Sequence, residues 1–233
     1  MGTKLYLNGG SVITNGSQAY NDVTLGADTA LSGTTITFNG IVAGGTHSLD
    51  ITGNAVFGDA GGDTVTGLSK LQVSGTTLIN SSTVISSGVQ TYNDAVTLGG
   101  DTSLLGTTTT FNGTVAGGTH SLDITGNAVF GDAGGDIVTG LSKLQVSGTT
   151  LINSSTISSS GVQTYNDAVT LGGDTSLFGT TTTFNGTVAG GTHSLDITGN
   201  AVFGDAGGDT VTGLSKLQAV SYTHLTLPTK RIV

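Results

Sequence analysis

Cysteine, tryptophan and glutamate do not occur in the chain, proline and arginine occur once each, and only 9% of its 233 residues are charged. Each shortage excludes something. Without thiols there are no disulfides, thiolate metal centres or thiol nucleophiles, although cysteine-free exported proteins exist and the compartment stays open. Six basic side chains stand against fifteen acidic ones, all Asp, for a formal charge of −9 and a pI near 4.4. Nucleic acid is therefore not expected as a partner, because binding a phosphate backbone needs clustered Lys and Arg. No apolar run reaches the roughly 18 residues of a membrane span, and no secretory leader follows Met1. Good helix formers are scarce while turn formers abound, which leaves an all-β chain.

What the chain has in quantity is glycine, 40 residues, with Thr, Ser, Val, Leu and Ile spread evenly along it. Disordered chains of low hydrophobicity usually carry high charge, which this one lacks. It has repeats instead: THSLDITGNAVFGDAGGD occurs at 46–63, 119–136 and 192–209, and His47, His120 and His193 set a period of 73 residues. Within each unit the pattern φxφxGx(T/A)xφ, with φ apolar, occurs three times. In the second unit it reads Val96, Leu98, Gly100, Thr102, Leu104, then Leu122, Ile124, Gly126, Ala128, Phe130, then Leu144, Val146, Gly148, Thr150, Ile152. A period of two with one apolar side is the signature of a half-buried strand.

The pattern starts at 23 (with Ala27 in place of its Gly), 49, 71, 96, 122, 144, 169, 195 and 217 (where the chain departs from it after Gln218), so it returns every 22 to 26 residues. That spacing is too long for a tight hairpin and contains no helical periodicity. It predicts a parallel β-helix, or β-solenoid, of about nine coils, roughly 43 Å long at about 4.8 Å per coil. The mid-motif Gly is expected at a bend with no room for a side chain. The FNG peptides at Phe38, Phe111 and Phe184 and the YND peptides at Tyr20, Tyr92 and Tyr165 are expected as corners. Asn-Gly and Asn-Asp tolerate left-handed backbone, and the preceding aromatic ring would turn inward as core filler.

After Gln218 the repeat predicts VSGTTLIN, but the chain reads AVSYTHLTLPTKRIV, with its only Pro (Pro228), its only Arg (Arg231) and a His (His224) outside the 73-residue series. VSYTHL resembles a translated transposase end sequence from a sequencing-library adapter. The expected organisation is a repeat array over 1–218, a piece of a longer array, followed by a non-native or disordered tail over 219–233. Met1 also stands in mid-repeat. Coils without caps at the two ends are expected to self-associate through open strand edges.

QTYNDAVTLGGDTSLLGTTTTFNGTV and HSLDITGNAVFGD resemble the repetitive passenger regions of large bacterial surface proteins, the filamentous-haemagglutinin-like and autotransporter adhesins. The resemblance spans roughly residues 1–218 and implies an exported, outer-membrane-anchored parent folded as a right-handed parallel β-helix. It implies a structural and adhesive stalk, extracellular or on the bacterial surface, with a host or surface ligand that the repeats do not name.

Three chemistries compete with that reading. GDAGGDTVTG at 58–67 resembles one unit of the calcium-binding GGxGxDxUx nonapeptide of RTX-type proteins, with Asp63 and Asp59 as ligands. Calcium wants six to eight oxygens, which one turn cannot supply. Copies three coils apart, about 14 Å by stacking distance, cannot share an ion. The same spacing keeps His47, His120 and His193 from meeting on one metal and places each at the surface beside its Gly-Gly turn. No cofactor is expected, with calcium the one alternative. Asp94, Asp101, Asp123, Asp132 and Asp136 could serve a polysaccharide-cleaving site of the kind β-helices host. Each recurs in every unit, however, whereas an active site needs a constellation that occurs once, and no enzyme is expected. Thr107–Thr110 and Thr64–Thr66 raise an ice-binding solenoid, but the coils offer no uniform TxT ladder.

Overall fold

The structure, a computed structural model, describes residues 4–224. Among these residues there is no helix: 27 strands form one continuous hydrogen-bonded surface, and every strand pairing is parallel. The chain is a β-solenoid, as its alternation predicts. Inward positions carry Val, Leu, Ile and Phe at 0–2% exposure almost throughout. All the non-glycine motif residues named above for the second unit are buried.

The coils are shorter and more numerous than the motif spacing predicts. One ladder of Cα partners climbs through Leu5, Val23, Val42, Val65, Val84, Leu104, Ile124, Val146, Tyr165, Phe184 and Phe203. Those eleven rungs, 18 to 23 residues apart, replace nine coils of 22–26 and give a rod roughly 50 Å long. Each turn has three sides. Between Leu104 and its partner Ile124, for example, the chain passes through 108–111 and Val115–Ala116.

Residues 96–168 contain nine strands, and two of them, Thr102–Phe111 and Ser121–Phe130, bend midway and supply two sides each. A 73-residue unit thus has eleven sides, which at three per turn is three and two-thirds turns. The sequence repeat and the structural turn are out of phase, so each unit is rotated by a third of a turn from the last. Val23, Val96 and Val169 hold the same place in their units yet stand on three different ladders. Val23 follows Leu5, Val96 follows Thr77, and Val169 follows Thr150.

The bends explain the glycines. Gly126 has φ of 117°, and a Cβ there would collide with the carbonyl oxygen of Gly106 one turn below. A Cβ on Gly148, one turn above, would lie 2.7 Å from the Gly126 carbonyl. A column of glycines therefore lets backbones approach at this corner, as expected of the mid-motif position. Gly100, the third motif glycine, meets its nearest neighbour only at an ordinary 3.6 Å.

The aromatic residues behave as core filler. Tyr92, Phe111 and Phe130 stack on successive turns with centroids 5.4 and 5.7 Å apart and rings within 13° of parallel, and all three are fully buried. Tyr165, Phe184 and Phe203 repeat the stack one unit later at 5.3 and 5.1 Å. Parallel in-register strands force identical ring positions onto successive rungs, and offset stacking satisfies the ring quadrupoles.

The Asn-Gly and Asn-Asp corners turn without the left-handed backbone they tolerate; among the described residues outside glycine, positive φ occurs only at Thr46, Thr119 and Thr192 (73°, 73° and 79°). Each follows a left-handed Gly in a tight turn closed by a bond such as His120 N–H to Gly117 O at 2.8 Å. A β-branched residue there carries strain of order 1–2 kcal/mol. The Thr119 amide, donating to Gly140 O at 2.6 Å, helps hold it.

At the far end, residues 219–224 complete the strand Lys216–His224, paired along Ser194–Val202. Backbone pairing at an open edge accepts almost any sequence without proline, so the ladder runs past Gln218. The rest of the 219–233 tail lies outside the described residues.

Candidate functional site

Most of the carboxylates singled out in the sequence have a local structural task. In the GDAGGD corner, Asp63 Oδ2 accepts the amides of Asp59 and Ala60 at 3.0 and 3.1 Å and so closes its own loop. Asp136 does the same for Asp132 and Ala133, and Asp209 for Asp205 and Ala206. This is the Asx-type capping that suits Asp to turns. The loop tip beyond is open: a Cβ on Gly61 or Gly62 would meet nothing within 4 Å.

The corners are three and two-thirds turns apart, roughly 18 Å along the axis, instead of three turns and 14 Å. They also point in different directions. Asp59 and Asp63 are therefore not joined by carboxylates of another copy. Among the described residues no three His, Cys, Asp or Glu side chains gather in a metal-binding group.

Asp101 Oδ1 accepts the Ser121 amide of the next turn at 2.8 Å, and His120 Nδ1 lies 3.9 Å from the same oxygen. Asp28 with His47 and Asp174 with His193 repeat the arrangement. The amide bond, foremost, and the neighbouring imidazole hold these carboxyls below the usual Asp range. The histidines lie beside their Gly-Gly turns, as expected, but half-buried rather than fully at the surface, and their pairing with Asp on the preceding turn is not legible from spacing without the true coil length. Asp123 pairs with Lys143 at 3.1 Å, Asp50 with Lys70 at 3.1 Å, and Asp94 Oδ1 accepts the Ala95 amide at 2.7 Å. Asp132 is left exposed at its loop.

Sequence reasoning missed a buried polar group. Gln90 is fully buried and donates through Nε2 to Val84 O and Leu105 O at 3.0 and 2.8 Å, while its Oε1 accepts the Tyr92 hydroxyl at 3.0 Å. Gln163 and Tyr165 repeat the motif. Burial raises both tyrosine hydroxyls well above their ordinary pKa, which keeps them neutral donors. The signal was available: in QTY the Gln lies two residues before an inward aromatic and shares its phase.

The outer surface is equally mixed. On one side the outward ladder climbs through Asp50, Gln72, Thr91, Thr110, Val129 and Leu151. It is not a row of threonines, because every side receives the eleven kinds of strand in turn. A shallow groove on this side, over Thr108, Asn127, Val129, Thr149, Leu151 and Thr170, contains no titratable side chain. Comparison of the chain with protein-family models, with curated proteins and with solved structures returned no match. No helix among the described residues is long and apolar enough to cross a membrane.

Proposed function

We propose that the chain is a segment of a rigid, acidic stalk, exported and displayed on a bacterial surface in the manner of the adhesin passengers its repeats resemble. The observation that carries this reading is the phase mismatch of eleven strand sides to three faces. It spreads every surface residue type around the whole rod, so no constellation is unique, as an active site requires. Most of the Asp residues cap loops, bind amides on the next turn or pair with Lys. Their work is structural, and the rod acts without catalysis or a cofactor. Adhesion is distributed along it through many weak repeated contacts to a host or surface ligand, which multivalency strengthens. The mixed outward ladder argues against ice binding, and the self-closed GDAGGD corners argue against calcium-driven folding.

The stalk reading is tested by arrays of two to five units in solution scattering. Each added unit should lengthen the particle by roughly 18 Å at constant cross-section, because three and two-thirds turns stack at about 4.8 Å each. A particle whose width grows with unit number would contradict a rod. Adhesion is tested separately, with beads carrying these arrays on matrix-protein and glycan surfaces. Retention should rise with unit number, and retention equal to that of bare beads would remove the adhesive part and leave the rod.

A further inference from the structure

The FNG corners that the stalk uses as plain turns carry a reactive dipeptide. Gly is held there by packing: a Cβ on Gly113 would lie 2.8 Å from the Asp94 carbonyl carbon, and one on Gly186 would lie 2.7 Å from that of Asp167. A Cβ on Gly40 would collide with Asp22 Oδ1. The fold thus keeps an Asn followed by the least hindered of residues at three places. The Gly40, Gly113 and Gly186 amides donate to no acceptor among the described residues, which leaves each nitrogen available.

The three asparagines differ in one respect. Asn112 Nδ2 donates to Asn93 Oδ1 on the preceding turn at 2.9 Å, and Asn185 Nδ2 donates to Asn166 Oδ1 at 2.9 Å. In the first unit the neighbouring corner instead uses Asp22 Oδ1 to accept the Ile41 amide at 3.1 Å, and the Asn39 side chain has no such tether.

We propose that Asn39, Asn112 and Asn185 are sites of spontaneous intramolecular deamidation in the folded rod, and that Asn39 reacts first. The nitrogen of the following Gly attacks the Asn side-chain carbon Cγ and loses its proton. The N–Cγ bond forms, the Cγ–Nδ2 bond breaks, and the amide leaves as ammonia with a proton taken up. Water then opens the five-membered imide to an aspartyl or isoaspartyl residue. No oxidant or other co-reactant is needed. At Asn112 and Asn185 the amide must first leave its partner, which slows the step. Each event adds a negative charge to a chain already at −9 and, in the isoaspartyl form, lengthens the backbone where two turns touch. The corners therefore age, and the first unit ages fastest. Asn8–Gly9 and Asn15–Gly16 share the dipeptide without the FNG setting.

The test incubates the full chain at neutral pH and follows amide-to-acid conversion by peptide mapping, with Leu105 and Phe178 distinguishing the second and third corners. Conversion at Asn39 should run about two- to tenfold faster than at Asn112 and Asn185, the factor a single net hydrogen bond is worth. In denaturant the three rates should converge, since all share Phe-Asn-Gly. Asn93→Ala, at an exposed position, should bring Asn112 to the Asn39 rate and leave Asn185 unchanged. Equal rates in the folded chain, an unmoved Asn112 in the variant, or an Asn39 stable while the unfolded chain converts would each overturn the proposal.

Discussion

Replacing Ile124 with Asp will lower the stability of the rod by more than about 4 kcal/mol, the range reserved for an unpaired charge forced into a core. Ile124 is 2% exposed and sits on its ladder between Leu104 and Val146. Its strand Ser121–Phe130 pairs on both sides of its bend with the turn below and again with the turn above, so a carboxylate there has apolar neighbours on both sides. The damage should stay local, because each turn of a solenoid contacts only its neighbours. Protease should cut near residue 124 while the outer turns keep their strand signal. Thr125→Asp, one residue on and exposed, is the control and should change stability by less than about 0.5 kcal/mol. A melt unchanged by Ile124→Asp would contradict the inward assignment.

Gly126→Ala is expected to be nearly as damaging for a different reason. The backbone at φ 117° lies where L-residues rarely go, and the new methyl would collide with the Gly106 carbonyl, which is backbone and cannot swing aside. Strain of about 1–3 kcal/mol adds to an overpacking cost of about 1–3 kcal/mol. The same methyl at Gly134 or Gly135, where a Cβ meets nothing within 4 Å, should be nearly neutral. Chemical denaturation of the three variants distinguishes a required corner glycine from a dispensable loop glycine. Equal effects at all three would mean the glycine column does not set the bend.

Inward alternation in the core was legible because Val, Leu, Ile and Phe keep a strict period of two through each motif, and a parallel stack needs nothing more. The coil length was not. The three motifs in a unit account for six of its eleven sides, each motif bending across two. The other five hide their phase. Thr109 with Phe111 and Gln163 with Tyr165 put a polar residue inward, Val115 stands almost alone in a two-residue strand, and Val138 with Leu141 straddles a register shift. Ile157 with Ser159 again mixes an apolar and a polar inward residue. Reading inwardness from hydrophobicity alone skips these sides and stretches three and two-thirds turns into three.

That error touched the candidate site in proportion. Conclusions that needed only separation, such as GDAGGD copies unable to share an ion, survive and gain distance. Contacts that need the true rung length, such as Asp101 with His120 or Asn93 with Asn112, could not be seen until the register was known. The buried Gln90 and Tyr92 pair was within reach of the sequence, since both share one phase, but polar residues are expected outward by default.

The register of the rod is tested most directly by engineered disulfides, which the cysteine-free chain makes clean. Ser103 and Asp123 are Cα partners on neighbouring turns, whereas the 26-residue motif spacing would place Thr97 against Asp123. In the structure Thr97 faces Ala116. Neighbouring parallel strands stand about 4.8 Å apart, within the Cα span a disulfide accepts. The double variant Ser103→Cys with Asp123→Cys should therefore oxidise rapidly and completely in the folded chain, and Thr97→Cys with Asp123→Cys should stay reduced. The reverse pattern would contradict the three-sided rod of about 20 residues per turn and restore the nine-coil register.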